Sequence, residues 1–226
     1  MTPPPALRRP SFTERLLAAG YDLLSAGVER EVFGPRRHEL LAEARGRVLD
    51  VGAGTGANLP HFPWRAGRQL DVVLLDPSAG MLERAHRKAA QLALNVHSVN
   101  RPAAQLPFAA ESFDTVVFTL ALCTIGDPVA ALGEARRVLR RSGRLLVFEH
   151  VRAHEPGVAR WQDRLDPLWR RLNNGCHLNR DTRTAIEHAG FEFEHVDELE
   201  EPRIPLPIVQ TLLIGVATRR DQLQPK

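Results

Sequence analysis

The stretch "RVLDVGAGTG", Arg47 to Gly56, restricts this chain more than any other. A short β-branched run ends in an acid, Asp50, and glycines follow at 52, 54 and 56. A strand that ends this way must turn sharply toward the next helix. Glycine supplies the backbone angles that other residues avoid, and it lets the main chain approach a ligand closely. In an open α/β sheet such a turn lies at the carboxyl edge, where ligands bind. The plain alternative is a tight turn with no ligand.

Asp76 closes a second buried strand, "LDVVLLD", twenty residues past Gly56. A carboxylate at that place can accept hydrogen bonds from both hydroxyls of a ribose. Glycine loop and acid together favour an adenosyl ligand over the plain turn.

The rest of the chain alternates. Phe12, Leu16, Ala19, Leu23, Leu24 and Val28 recur at helical spacing, and a second helix is expected from about Arg36 to Ala44, stopped at Gly46. After the second strand, Ser78 caps a helix that carries Met81, Leu82, Ala85 and Ala89. "NVHSVN" and "FDTVVFTL" read as the third and fourth strands. Asp127 caps a helix before Pro128, and "SG" turns into the fifth strand, "RLLVFEH". Past His150, Trp161, Leu165, Leu168, Trp169 and Leu172 make an apolar stripe at helical spacing, in a helix that Pro167 should kink or restart. A short helix runs from about Asp181 to Ala189, and strands near Phe191–Val196 and Ile208–Ala217 complete the set. This pattern predicts a doubly wound α/β fold with a seven-stranded, mostly parallel sheet covered on both faces. The expected organisation is a disordered lead-in over residues 1–10 and one domain over 11–226. Within it, N-terminal helices fill 11–45 and a helical lid follows the fifth strand over 152–182.

Composition narrows the class. A chain of 226 residues with 43% hydrophobic and 25% charged residues can bury a core without staples. No apolar run is long enough to span a bilayer, and the N-terminus lacks the apolar core of a secretory signal. Two cysteines without CxxC spacing read as free thiols in a reducing cytoplasm. Between Arg152 and Arg183 stand seven arginines against four acids. That is a solvated helical face, or a basic surface for peripheral contact with anionic membrane. Nucleic acid is not expected as a partner, because aromatics are not interleaved with the basic residues.

"LDVGAGTG" resembles the acidic-x-GxGxG loop of class I S-adenosylmethionine-dependent methyltransferases. "AQLPFAAESFDTVVFTLALC" and "GEARRVLRRSGRLLVFEH" resemble the fourth-strand and fifth-strand regions of its small-molecule branch. The likeness covers residues 21–190. It implies S-adenosylmethionine as cofactor and S-adenosylhomocysteine as product. By the family pattern Asp50, Gly52, Gly54, Gly56 and Asn58 surround the methionine end and sugar, and Asp76 holds the ribose. Pro77, Met81, Ala103, Ala104 and Leu120 lie about the remainder of the cofactor. Many relatives carry an acid before "LPF" for the adenine amino group. This chain has Arg101-Pro102-Ala103-Ala104-Gln105 instead, so backbone groups and apolar contact must hold adenine.

"LCTIGDP", "FEHV" and "WQDRLDPLWRRLNNGCHLNRDT" resemble the alkyl thiol S-methyltransferases and their bacterial relatives. The implied reaction is methyl transfer to a small lipophilic thiol. Phospholipid N-methylation, quinone-ring C-methylation and a non-catalytic adenosyl-binding protein are the alternatives. His150, at the end of the fifth strand, is a candidate base or an orienting neutral histidine. Asp166 can pair with His150 or Arg180, or cap a helix before Pro167. Tyr21, Cys123, Trp161, Trp169 and Arg180 are candidates for the acceptor side. Packing competes with each of the first four, and Cys123 reads best as a small buried residue. Trp161, Leu165, Trp169 and Leu172 would line the lid's inner face. Cys176 and His177, adjacent in a loop, do not make a nucleophile and base, and Cys176 reads as packing. No metal is expected, since the family uses none for such acceptors and other ligands lie scattered along the chain.

Overall fold

A computed structural model describes residues 26–64 and 70–220, together with residues 10, 11, 13, 15 and 20. The expected lead-in, most of the first amphipathic helix and Tyr21 lie outside the described residues.

Seven strands form one sheet: β1 (Arg47–Val51), β2 (Asp71–Leu75), β3 (His97–Val99), β4 (Phe113–Thr119), β5 (Leu139–His150), β6 (Phe191–Glu200) and β7 (Thr211–Arg219). Their order is β3-β2-β1-β4-β5-β7-β6. The first five run parallel, and β7 is antiparallel to both β5 and β6. The helices are α1 (Gly34–Leu41), α2 (Ala79–Gln91), α3 (Pro128–Val138), α4 (Pro156–Leu172) and α5 (Thr182–His188).

Alternation along each strand divides the core. Leu49, Val51, Val116, Phe118, Leu145 and Val147 face one side, against Leu132 and Ala135 of α3. Val48, Val72, Leu74, Val117, Leu146 and Phe148 face the other, against Leu40 and Leu41 of α1 and Leu82 of α2. Both faces are covered, so the central strands read as continuous apolar runs. The expected caps form: Ser78 accepts from the Met81 amide and Asp127 from the Ala130 amide.

Three details depart from expectation. α1 begins at Gly34 and ends at Leu41, three residues short of the expected Ala44, although Gly46 at φ +61° precedes β1 as expected. Ser142-Gly143 does not turn into β5: the strand begins at Leu139 and slips register between Phe113 and Thr115 of β4. α4 runs unbroken through Pro167. An internal proline costs a helix about 3 kcal/mol or more. Two polar side chains four residues apart anchor the helix just before it. Gln162 bonds the Ala153 amide at 2.8 Å and the Val151 and Ile208 carbonyls at 3.2 and 3.0 Å, and Asp166 accepts from the Leu178 amide at 2.9 Å.

Candidate active site

Register brings the ends of β1, β2, β4 and β5 level, so Asp50, Asp76, Thr119 and His150 share one sheet edge. The glycine loop lies across it. Gly52, Gly54 and Gly56 all have left-handed φ, at +72°, +54° and +79°. A Cβ on Gly52 would sit 2.7 Å from the Ala121 side chain, and one on Gly56 would sit 2.8 Å from Leu59. Packing therefore demands glycine at both. At Gly54 a Cβ would meet only the Gly52 carbonyl at 3.9 Å, so this turn faces open space where a ligand can approach.

The two acids are held differently. Asp76 accepts from the Gly54 amide at 3.0 Å and the Ser78 amide at 2.8 Å, one per oxygen, while burial raises its pKa. Its carbonyl accepts from Asn100 at 2.9 Å, tying β3 to the same corner. Asp50 is fully buried and bonds Asn58 through Oδ1 at 2.8 Å, but its Oδ2 has no partner. Desolvation pushes Asp50 up to about 7. An unpartnered buried carboxylate oxygen needs a cation or donor beside it. The amino group of the methionine end of S-adenosylmethionine supplies one, so these residues fit the cofactor. Asn58 is fixed in turn by Thr119 at 2.9 Å and by Arg37 at 2.7 Å. Arg37 is 3% exposed, an arginine that sequence reasoning passed over because α1 reads as an ordinary surface helix.

Toward adenine, Ala103 is buried, Ala104 and Met81 are half-buried, and Pro77 is exposed. Leu120 turns the chain after β4 at φ +52°, its amide bonded to the Phe148 carbonyl at 2.6 Å. A left-handed leucine is a strained residue of the kind that clusters at functional sites.

The acceptor side is stitched from three segments. The loop after β4 is held by Glu149, a fully buried carboxylate that accepts from the Ala121 and Leu122 amides at 2.8 Å each and from Cys123 at 3.2 Å. Burial raises the Glu149 pKa, and the three amides work against it. An acid at the end of an apolar strand was the signal for this residue. The loop after α4 then closes over the same ground. The His177 amide donates to the Cys123 carbonyl at 2.8 Å, and Arg180 donates to the carbonyls of Leu122 and Ile125.

The expected pairings change here. Asp166 meets neither His150 nor Arg180, and it caps no helix, since Glu155 caps α4. It lies inside α4 and bonds the Leu178 amide, with Arg170 at 3.2 Å and His177 at 3.5 Å. The partner of His150 is Cys176, whose Sγ is 3.4 Å from its Nε2, which also donates to the His177 carbonyl at 2.9 Å. Cys123 joins them, so two sulfurs and an imidazole that sequence reading kept apart come together. A hydrogen bond with Cys123 and burial push the Cys176 thiol far above its ordinary range, so it is protonated and not a free nucleophile, as expected of a packed cysteine.

The lid is also turned. Its buried residues are Ala159, Gln162 and Asp166, with Trp169 half-buried and its Nε1 buried without a partner. Trp161, Leu168 and Leu172 are 55%, 56% and 73% exposed, so most of the apolar stripe faces outward rather than lining the site. Arg160, Arg164 and Arg171 are exposed on the same helix, and Arg164 lies over the Trp161 ring at 5.7 Å. A cavity of about 680 Å³ is bordered by Glu29, His38, Thr55 and His61. It touches neither Asp76 nor His150 and is not the transfer site.

This fold, with this loop and these acids at the sheet edge, defines a class I S-adenosylmethionine-dependent methyltransferase. Residues 49–147 match the family described as "Methyltransferase domain". A SAM-dependent methyltransferase from Thermotoga maritima has the same fold, with a TM-score of 0.67 at 22% identity over 91% of this chain and 97% of that one. The chain belongs to the thiol S-methyltransferase family. It is 30% identical to thiol S-methyltransferase TMT1B of Rattus norvegicus over 203 residues, 88% of this chain and 81% of the rat protein. The ubiquinone/menaquinone biosynthesis C-methyltransferase UbiE of Rhizobium meliloti is 36% identical, over 63% of this chain and 57% of its own. Among the described residues no helix is long and apolar enough to cross a membrane.

Proposed function

We propose that this methyltransferase transfers the methyl group to the sulfur of a small lipophilic thiol. The observation that carries this reading is the meeting of Cys123, His150 and Cys176 at the ends of β4 and β5. These are residues through which the acceptor half resembles the thiol enzymes, and a sulfur-lined corner suits a soft nucleophile. The relatives named for thiol methylation match 80–88% of the chain, whereas the quinone enzyme matches 63%.

S-adenosylmethionine supplies a methyl group on a sulfonium. The chain's part is to bind, align and exclude water. Asp76 receives the ribose hydroxyls, Asp50 the amino group, and the glycine loop the backbone of the methionine end. Backbone around Ala103 and Ala104 takes adenine. A thiol with a pKa near about 8.5 needs only a weak acceptor for its proton. His150 stands where the acceptor sulfur would arrive.

The outward stripe of α4 extends the reading to the source of the acceptor. Trp161, Leu168 and Leu172 among exposed arginines are suited to the headgroup boundary of an anionic membrane, from which a lipophilic thiol would be drawn.

The test is incubation with S-adenosylmethionine and, separately, an alkyl thiol, phosphatidylethanolamine vesicles and a demethylated quinone. S-adenosylhomocysteine release with the thiol is expected. Release with the vesicles or quinone alone would overturn the thiol assignment. His150→Ala should lower turnover far more than cofactor affinity.

A further inference from the structure

We propose that Cys123, His150 and Cys176 bind a thiophilic divalent cation of the zinc class, with a fourth coordination position left for a sulfur ligand. One ligating atom from each residue lies within 4.8 Å of the others. Cys176 Sγ and His150 Nε2 are 3.4 Å apart, and Cys176 also hydrogen-bonds Cys123. Zinc–sulfur and zinc–nitrogen bonds of about 2.3 and 2.0 Å place those atoms about 3.5 Å apart across a tetrahedral edge. Two thiolates and an imidazole select zinc over harder cations. Three protein ligands with one free position mark a reactive zinc site rather than a closed structural one.

The three ligands come from separate segments, and each segment is fixed independently of a cation. Glu149 pins the Cys123 amide, and His150 ends β5 opposite Leu212 of β7. The Cys176 amide donates to the Asn173 carbonyl at 2.9 Å, just past the left-handed Gly175. Ligation through His150 Nε2 requires the His177 carbonyl, now 2.9 Å from it, to withdraw as the Nε2 proton is released. Arg180 adds a fixed positive charge that interacts with both sulfurs. A dication with three thiolates carries one net negative charge, which Arg180 offsets. The fourth position then suits an acceptor thiol, which binds as thiolate with its proton released to water. That last assignment rests on the thiol reading, whereas the cation site does not. His150 accordingly acts as a ligand beside the acceptor rather than as a free base.

The test uses the full chain, reduced, stripped with a chelator and titrated with cobalt(II) chloride. The expected result is one cobalt per chain, with thiolate-to-cobalt charge transfer and the ligand-field bands of a tetrahedral site. Cys176→Ser and Cys123→Ser should abolish those bands while calorimetry shows S-adenosylmethionine still bound, which excludes misfolding. An alkyl thiol should shift the bands. If reduced wild-type chain binds S-adenosylmethionine but shows no cobalt spectrum, the site is overturned. A Cys123–Cys176 disulfide found in place of metal uptake would overturn it in favour of a redox pair. Cobalt bands that no thiol perturbs would uphold the site and count against the thiol reading alone.

Discussion

The cofactor half and the acceptor half of this site are built by different means. Around Asp50 and Asp76 the geometry is set by backbone: three left-handed glycines, and amides that fix Asp76. Around Cys123, His150 and Cys176 it is set by buried and half-buried side chains that reach between segments, with Glu149, Asp166 and Arg180 holding the loops. A site made from backbone conformation leaves a local mark in the sequence. One made from long-range side-chain contacts shows only when the chain is folded. The first kind can serve any adenosyl enzyme, and the second can be re-cut for a new acceptor.

Breaking the cofactor half should have the largest effect. Asp76→Ala removes a charged acceptor of ribose hydroxyls, with bonds worth about 1.5–3 kcal/mol each. Calorimetry should show S-adenosylmethionine affinity reduced about 100-fold or more. Gly52→Ala forces a left-handed alanine, costing about 1–2 kcal/mol, against the Ala121 side chain. Both melting temperature and cofactor affinity should drop. The acceptor half should answer differently. Asp166→Ala frees the buried Leu178 amide, at about 1–3 kcal/mol. Turnover should fall several-fold with cofactor affinity unchanged. A loss of cofactor affinity equal to that of Asp76→Ala would dissolve the division between the halves.

Asp50 sharpens the comparison through pH. Its folded pKa of about 7 lies above the ordinary 3.8, so the folded chain holds this proton more tightly than the unfolded one. Stability without cofactor should therefore fall as pH rises from 3.8 toward about 7 and level off above. Pairing with the cofactor's ammonium needs the carboxylate, so binding below pH 7 should expel a proton. Calorimetry in buffers of different ionisation enthalpy should show that release, and Asp50→Asn should abolish it. The smallest effect is expected on the outer face of α4. Trp161→Ser with Leu172→Ser should change stability by less than about 0.5 kcal/mol. Cosedimentation with anionic vesicles should nonetheless weaken. Unchanged cosedimentation would remove the membrane from the account.

The same division governs what could be read from the chain. The strand runs apart from the start of β5, the caps at Ser78 and Asp127, the glycine loop and Asp76 follow from local periodicity and turn chemistry and stand where expected. α4 was misjudged in its orientation, because apolar periodicity does not say which face is buried. Gln162 and Asp166 turn inward since their side chains satisfy amides and carbonyls of three other segments, at the cost of leaving Trp161 and Leu172 outside. Cys123, His150 and Cys176 stand 27 and 26 residues apart along the chain, and only the closing loop brings them together.

The central claim is methyl transfer to sulfur. Methyl-deuterated S-adenosylmethionine is incubated with the chain and an alkyl thiol, and the product is examined by mass spectrometry. The account predicts the labelled thioether, formed in step with S-adenosylhomocysteine and lost in Asp76→Ala. Label appearing on a ring carbon of a quinone or on a phospholipid amine, with the thiol untouched, would contradict it.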